Sequence, residues 1–313
     1  MHRGTSYPRF SVTVLMLAAW TCLAEAEAVK SSVSASRFAP QRSRRMIGGL
    51  LAPHVPWQVF LNVSDDALGQ GYAGGTLISD RWVLTAGTNL YVRMNRTEMK
   101  RNDPLIPKLY VGIVGLPEAN ASSEVEVEKI VLHPNFLNHS NWDNNLALIK
   151  LKEPVLMSDK VAPIPLPERG QDLTNITDGI ISGWGWGALL TPATSLKYLI
   201  LPIANHSSCK AYYKKKPFTP DVDDNMFCTS ISRFGENVCF GDAGGALAVR
   251  DPDSGDVFVA GILIYDRNCR VRQYGIFLKM SSYLPWIHSV IRGDEENSPA
   301  VRAAAVSTMY SNV

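Results

Sequence analysis

The sequence has few cysteines and lacks several patterns that mark common classes of protein. Five cysteines in 313 residues are too few for a small scaffold held together by disulfides, and an odd number cannot pair completely. The chain shows no internal repeat, no Cys/His cluster with metal-ligand spacing and no glycine-rich phosphate loop. We therefore expect neither a metal nor a cofactor.

The composition has no extreme feature either. Hydrophobic residues make up 46% of the chain and the formal net charge is +2, values that exclude wholesale disorder, collagen and a polytopic membrane protein. A chain of this length forms either about two domains or one large domain, and it can bury a sizeable core.

The N-terminal sequence predicts a secretory signal peptide over residues 1–26. A basic start precedes an apolar run at residues 10–24, and small residues at alternating positions follow it. The alternative is a membrane anchor, but a run of about 15 residues is short for a membrane span. Loss of Cys22 with the signal peptide leaves an even set, namely Cys209, Cys228, Cys239 and Cys269.

Glycosylation signals also favour secretion. Six Asn-x-Ser/Thr sequons follow the signal peptide, which is typical of a chain that passes through the secretory pathway. The predicted acceptors are Asn62, Asn95, Asn120, Asn138, Asn175 and Asn205. We expect an extracellular glycoprotein in which some of these sites carry sugar.

Residues 27–45 read as a short pro-segment. They are rich in Ser and Ala and end in a basic cluster that has the form of a furin-type site, so cleavage is expected between Arg45 and Met46. A solvated charge run is the alternative. Without residues 1–45 the chain has 24 basic and 27 acidic residues, a net charge of −3. Nucleic acid is therefore not an expected partner.

The segment 46–292 is predicted to be an all-β domain. Short β-branched and aromatic stretches alternate with Gly, Pro, Asn and Asp, a pattern typical of sandwiches and barrels. Residues 282–292 are the one convincing helix, because Leu284, Ile287 and Ile291 share a face. Residues 293–313 are expected to form a disordered or loosely helical tail, and no membrane contact is expected.

An ordered set of motifs resembles the chymotrypsin-like serine proteases. Each motif is short, but together they follow the family order over nearly the whole domain. They are Met46-Ile47-Gly48-Gly49, Gly74-Gly75-Thr76-Leu77, Trp82-Val83-Leu84-Thr85-Ala86, Asn145-Leu146-Ala147-Leu148, Ser182-Gly183-Trp184-Gly185 and Gly241-Asp242-Ala243-Gly244-Gly245. The resemblance implies a double antiparallel β-barrel with a C-terminal helix.

The same resemblance implies that no member of the catalytic triad is present. Thr88 stands where the family has its His base, Asn145 where it has its Asp, and Ala243 where it has its Ser nucleophile. Acyl transfer in this family depends on all three of those side chains. We therefore predict a protein that is not an enzyme.

The cysteine pattern departs from the family at one further place. The family disulfide beside the catalytic His would join the positions of Ala73 and Asn89, and both of its cysteines are missing. Four cysteines alone allow three pairings. The resemblance implies the pairs Cys209–Cys228 and Cys239–Cys269.

Asp242 retains the family residue. In active members the corresponding carboxylate pairs with the amine released by activation cleavage, which here would be the amine of Met46. The resemblance therefore implies that cleavage after Arg45 orders the surrounding loops. The alternative is that Asp242 only caps a turn.

Further motifs resemble the haptoglobin family of inactive relatives. They are Thr85-Ala86-Gly87-Thr88-Asn89-Leu90, Leu109-Tyr110-Val111-Gly112, Val131-Leu132-His133-Pro134-Asn135, Leu196-Lys197-Tyr198 and Cys239-Phe240-Gly241-Asp242-Ala243-Gly244. The resemblance implies a plasma protein that captures hemoglobin αβ dimers, limits their oxidation of lipids and protein, and has a clearance receptor.

Two departures from that family concern its covalent assembly. Residues 27–45 contain no cysteine and are too short for the complement-control module that many haptoglobins carry. Pro165 occupies the position of the cysteine that would tether such a module. We therefore expect a short form without covalent dimers of that kind.

The loop after Ser182-Gly183-Trp184-Gly185 is the expected partner surface. Trp186, Leu189 and Leu190 are large apolar residues on a loop, where they would serve as interface anchors if exposed. The alternative is that they fold back onto the barrel.

Two other functions compete with hemoglobin binding. One is a silenced protease that acts as a heparin-binding defence protein or a receptor ligand, although the mature charge of −3 disfavours polyanion binding. The other is an active serine endopeptidase, which Thr88, Asn145 and Ala243 argue against.

Overall fold

A computed structural model describes most of the predicted domain. The described ranges are residues 49–63, 71–91, 104–136, 142–171, 173–186, 193–214, 216–217, 219–265 and 273–296. Several predictions fall outside them, namely the signal peptide and pro-segment, Arg45 and Met46, the acceptors Asn95 and Asn138, Leu189 and Leu190, Cys269, and residues 297–313 of the tail.

Fourteen strands within those ranges form two antiparallel sheets. They are β1 Leu50–Leu51, β2 Gln58–Asn62, β3 Tyr72–Leu77, β4 Trp82–Thr85, β5 Lys108–Val111, β6 Glu124–Val125, β7 Val127–Leu132, β8 Ala147–Leu151, β9 Asp178–Gly183, β10 Lys197–Pro202, β11 Met226–Thr229, β12 Ala246–Arg250, β13 Val257–Tyr265 and β14 Gly275–Lys279. The orders are β6-β5-β2-β3-β4-β8-β7 in the N-terminal sheet and β1-β10-β9-β12-β13-β14-β11 in the C-terminal sheet.

Each sheet curls around an apolar core of its own. In the N-terminal sheet, side chains from five strands are fully buried together, including Leu61, Val83 and Ile149. In the C-terminal sheet, Ile181 and Leu247 pack with a stacked pair, Phe227 and Phe277, whose ring centroids lie 5.3 Å apart. Alternation along the strands places these residues on one face, while the residues between them on β4 and β8 are buried on the opposite face.

A third cluster joins the two sheets and the C-terminal helix. Leu84 and Leu148 of the N-terminal sheet contact the same cluster as Ile262 of the C-terminal sheet and Ile287 of the helix. All four are completely buried. The predicted all-β class, with two antiparallel barrels and a C-terminal helix, is confirmed.

The described residues contain two α-helices, α1 at His206–Tyr213 and α2 at Met280–Glu296. Helix α1 was not predicted, because its eight residues are mostly polar and show little periodicity. Asn205 caps this helix by accepting a hydrogen bond from Ser208 N at 2.9 Å. Helix α2 extends beyond the predicted end at residue 292, and Asp294 in the added turn pairs with Lys150 at 2.9 Å. In the part of the chain that is described, no helix has the length and apolar character needed to cross a membrane.

Candidate functional site

The three residues expected at the triad positions come together at the junction of the two sheets. Thr88 lies in a 3₁₀ turn, Gly87–Leu90, that follows β4, and Asn145 lies two residues before β8. Strands β4 and β8 pair with Thr85 opposite Ala147, which brings Thr88 and Asn145 to the same edge. Ala243 lies in the loop that precedes β12.

Asn145 and Thr88 form a reciprocal neutral pair. The backbone N–H of Thr88 donates to Asn145 Oδ1 at 2.8 Å, and Asn145 Nδ2 donates to Thr88 Oγ1 at 3.1 Å. An amide can accept and donate at once, whereas an ionised carboxylate can only accept. Because Asn145 is completely buried, this pairing satisfies both ends of its amide.

A strained turn at residues 142–144 positions Asn145 beside Thr88. Trp142 and Asn144 both have positive φ values, 67° and 52°. Such conformations cost about 1–3 kcal/mol each for residues other than glycine and persist only where their surroundings hold them. The Trp142 ring packs edge-on against Tyr265, with centroids 5.2 Å apart, and thus links the turn to the C-terminal sheet.

Ala243 presents a buried methyl group, and its backbone is firmly held. Its carbonyl oxygen accepts one bond from Gly74 N at 2.8 Å and another from Asn89 Nδ2 at 2.8 Å. Both donors belong to the N-terminal half of the domain. The loop 239–245 is therefore fixed against the opposite sheet although its central side chain has no hydroxyl.

Gly244 lies against the same neighbours with no room for a side chain. Its φ is +91°, and a Cβ there would lie 2.0 Å from Gly74 O and 2.4 Å from Thr85 Oγ1. Thr76 Oγ1 also donates to the Gly244 carbonyl at 3.1 Å. Only glycine fits this close approach between the two halves of the domain.

Asp242 holds two loops together through backbone donors. Its Oδ1 accepts from Gly185 N and its Oδ2 accepts from Cys239 N, each at 2.9 Å. The carboxylate also lines a small cavity of about 40 Å³ to which Gly49 and Asn237 contribute. These contacts include a turn within the loop 239–245, while the predicted amine partner, Met46, lies outside the described residues.

Trp186 emerges next to this carboxylate and is 38% exposed. Its N–H donates to the Phe240 carbonyl at 2.8 Å, and its ring packs edge-on against the Phe240 ring with centroids 5.7 Å apart. Phe240 is 39% exposed. We refer to Trp186 and Phe240 as the aromatic pair.

Sequence reasoning missed half of that pair. Phe240 was treated only as part of the Cys239-to-Gly244 motif, although a large aromatic residue beside a glycine on a tight loop was a usable signal. Trp186 was predicted as a partner contact, whereas Leu189 and Leu190 lie outside the described residues.

The remaining predicted site residues lie away from this junction. Cys209 and Cys228 form a disulfide that ties α1 to β11, and Cys239 is also disulfide-bonded. Of the described acceptors, Asn120, Asn175 and Asn205 are exposed. Asn62 ends β2, which pairs on both sides, and its Oδ1 is buried without a hydrogen-bond partner.

The chemistry available at the junction is that of hydrogen bonding and packing. Thr88 does not titrate near neutral pH, and the Ala243 methyl cannot attack a carbonyl carbon. Among the residues that the structure describes, no three His, Cys, Asp or Glu side chains are grouped so as to hold a metal ion. What the junction does present to solvent is the aromatic pair.

Comparisons with known proteins agree with this geometry. Residues 48–287 match the trypsin family. The chain is 36% identical to haptoglobin of Sus scrofa over 264 residues, covering 79% of this chain and 70% of the pig protein. It is 36% identical to haptoglobin of Canis lupus familiaris over 268 residues (80% and 75%) and 35% identical to that of Bos taurus over 263 residues (79% and 61%).

Proposed function

This chain belongs to the trypsin family and is a haptoglobin-like protease homologue, and on that premise we propose that it is a secreted hemoglobin-binding protein without catalytic activity. It would capture αβ dimers of hemoglobin on a preformed surface. A receptor that clears the complex would be a second partner.

The main support for a loss of catalysis is that the loop 239–245 keeps its shape although Ala243 supplies no nucleophile. Asp242 and Gly244 keep the loop 239–245 in a fixed shape, yet Ala243 offers only a methyl group. Thr88 is bonded to Asn145 and is no substitute for a base. In a comparable protease, removal of the triad lowers turnover by about a millionfold.

Support for a binding role comes from the aromatic pair. Two large rings that are both more than a third exposed, on loops fixed by backbone hydrogen bonds, match the enrichment of aromatic residues at protein interfaces. A fixed loop also loses little conformational entropy when a partner binds. We propose that Trp186, with Leu189 and Leu190, contacts hemoglobin.

Secretion and processing complete the proposal. The predicted signal peptide, the basic site ending at Arg45 and the exposed acceptors Asn120, Asn175 and Asn205 are consistent with an extracellular glycoprotein. We propose that cleavage after Arg45 orders the loops around Asp242. An Arg45→Ala variant with unchanged hemoglobin affinity and protease sensitivity would refute this step.

Gel filtration of the purified secreted protein with and without hemoglobin tests the binding proposal. We expect co-elution at the summed mass of the protein and one αβ dimer. The double variant Trp186→Ala/Leu190→Ser should weaken binding by at least about tenfold, equivalent to 1.4 kcal/mol. Separate elution of the wild-type protein at micromolar concentration would contradict the proposal.

A serine-directed phosphonate tests the absence of catalysis. The mature protein should remain unlabelled under conditions that label an active trypsin-family protease completely. Stoichiometric labelling of the wild-type protein would contradict the proposal. Digestion and mass spectrometry would then identify the labelled residue.

A further inference from the structure

Asn89 stands where the family's disulfide beside the catalytic His would end, and it has acquired different contacts. Its Nδ2 donates to the Ala243 carbonyl at 2.8 Å, across 154 residues of sequence, and to Thr85 Oγ1 at 3.0 Å. Thr85 Oγ1 in turn donates to Gly74 O at 2.8 Å, and Gly74 N donates to the Ala243 carbonyl. The four residues form a closed ring of hydrogen bonds.

This ring differs from the missing disulfide in what it connects. Positions 73 and 89 both belong to the N-terminal half, on β3 and after β4, so a disulfide there would brace that half alone. The Asn89 amide instead reaches the loop 239–245 of the C-terminal half. The exchange of Cys for Asn therefore turns a bond within one barrel into a bond between two.

Hydrogen bonds connect the neighbour of Ala243, Asp242, to the segments that carry the exposed aromatic pair. The adjacent Asp242 accepts from Gly185 N and from Cys239 N. Those two contacts fix the segments that carry Trp186 and Phe240, which are joined in turn by the bond from Trp186 N to the Phe240 carbonyl. A displacement of Ala243 would thus be passed on to the aromatic pair.

We propose that Asn89 is a positioning residue, whose amide holds the loop 239–245 against the N-terminal sheet and thereby sets the aromatic pair for its partner. The inference rests on the proposed function, because hemoglobin is the partner in question. Asn89 itself is half-buried and acts through Ala243 and Asp242.

Two variants separate this role from a purely stabilising one. Asn89→Asp keeps the size of the side chain but replaces the N–H donors with carboxylate oxygens, so the bond to Ala243 is lost and the oxygens that face each other repel. Ala73→Cys/Asn89→Cys also removes that bond and places cysteines at the two positions of the family disulfide. Mass spectrometry confirms that the new disulfide has formed.

We expect Asn89→Asp to lower the unfolding temperature and to raise amide hydrogen exchange at Gly185 and Trp186. It should also weaken hemoglobin binding by at least about fivefold, the effect of losing one neutral hydrogen bond. The double cysteine variant should regain the unfolding temperature but keep the faster exchange and weaker binding. If Asn89→Asp fails to fold, the double cysteine variant carries the test.

Wild-type exchange and affinity in the double cysteine variant would overturn the inference, because they would show that Asn89 only stabilises the N-terminal barrel. Wild-type exchange in Asn89→Asp would overturn it too. If the wild-type protein binds no hemoglobin, the proposed function fails on that result, and the exchange rates alone still decide the role of Asn89.

Discussion

Thr88 and Asn145 are coupled so closely that neither can be understood as an isolated substitution. An Asp at position 145 would accept from Thr88 N and from its hydroxyl, but it would bury a negative charge that Thr88 does not neutralise. A His at position 88 would face an amide in place of a carboxylate. A neutral amide cannot stabilise the positive charge that the imidazole acquires when it takes up a proton. Thr88 and Asn145 therefore suit each other only while both side chains are neutral.

Restoring the nucleophile alone should therefore produce no protease. In Ala243→Ser the new hydroxyl has no base, because Thr88 does not titrate near neutral pH and is bonded to Asn145. We expect peptidase activity and phosphonate labelling at the level of the wild-type protein. Measurable turnover by this single variant would show that another group acts as the base.

Gly244 tests the close approach of the two halves. In Gly244→Ala the new Cβ would lie 2.0 Å from Gly74 O in a left-handed conformation, so we expect a loss of at least about 3 kcal/mol in the free energy of unfolding. Gly255→Ala is a matched control, because φ is +78° there but the nearest atom lies 3.9 Å away. The control should lose about 1 kcal/mol in the same denaturant titration.

At this scale, the resemblance to the family motifs pointed to Thr88, Asn145 and Ala243, and the fold brings these three residues to one junction. The role of Asn89 was not predictable in the same way, because its partner Ala243 lies 154 residues away and the contact depends on how the barrels meet. Phe240 offered a local signal, but its pairing with Trp186 depends on how two distant loops meet.

Helix α2 ends in a group of opposite charges on the N-terminal sheet. Lys150 lies 2.9 Å from Asp294 and 2.8 Å from Glu128, and Lys129 also bonds to Asp294. Burial acts to raise the pKa of Asp294, but the bonds from Lys129 and Lys150 outweigh it, so the pKa lies below its ordinary value. The charges thus connect the helix to β7 and β8.

The lowered pKa of Asp294 predicts the direction of a pH effect. Its contribution to stability is complete above the unfolded value of about 4 and disappears as the pH falls through the lower folded value. Asp294→Asn should lower the free energy of unfolding by about 2 kcal/mol at pH 7, as for a hydrogen bond between charged groups. The difference from the wild-type protein should shrink as the pH falls to 3, and a constant difference would contradict this assignment.

Helix α1 offers a test that separates a cap from a glycan. Asn205 accepts from Ser208 N, and its own sequon ends at the exposed Ser207. Asn205→Ala should cost about 1 kcal/mol beyond any effect of the glycan. Asn205→Asp and Ser207→Ala keep the cap but remove the sequon, so calorimetry should place both above Asn205→Ala. Equal unfolding temperatures in all three would assign the whole effect to the glycan.

Periodicity predicted one helix and missed the other for a physical reason. Helix α2 presents Leu284 and Ile287 to the core, and such a stripe is visible in sequence. Helix α1 has eight residues and is held by its cap and the Cys209–Cys228 disulfide. The last turn of α2 was also missed, because Lys150 and Lys129 hold it from another part of the chain.

At the scale of the whole molecule, the fold brings distant loops to one face and keeps them there. The Asn145 turn, the loop 239–245 and the segment 183–186 meet where the barrels join, held by backbone bonds, by the Asp242 carboxylate and by the Asn89 amide. In an active relative such a face orients a substrate. Here the same rigidity supports the aromatic pair, and the order of the motifs predicted this architecture correctly.

Amide hydrogen exchange of the secreted protein, measured alone and with saturating hemoglobin, tests the central claim most directly. We expect hemoglobin to slow exchange in residues 183–186 and 239–244, while β7 and the start of α1 remain unchanged. Unchanged exchange across both segments, or protection confined to another face, would contradict the claim that the former catalytic face binds hemoglobin.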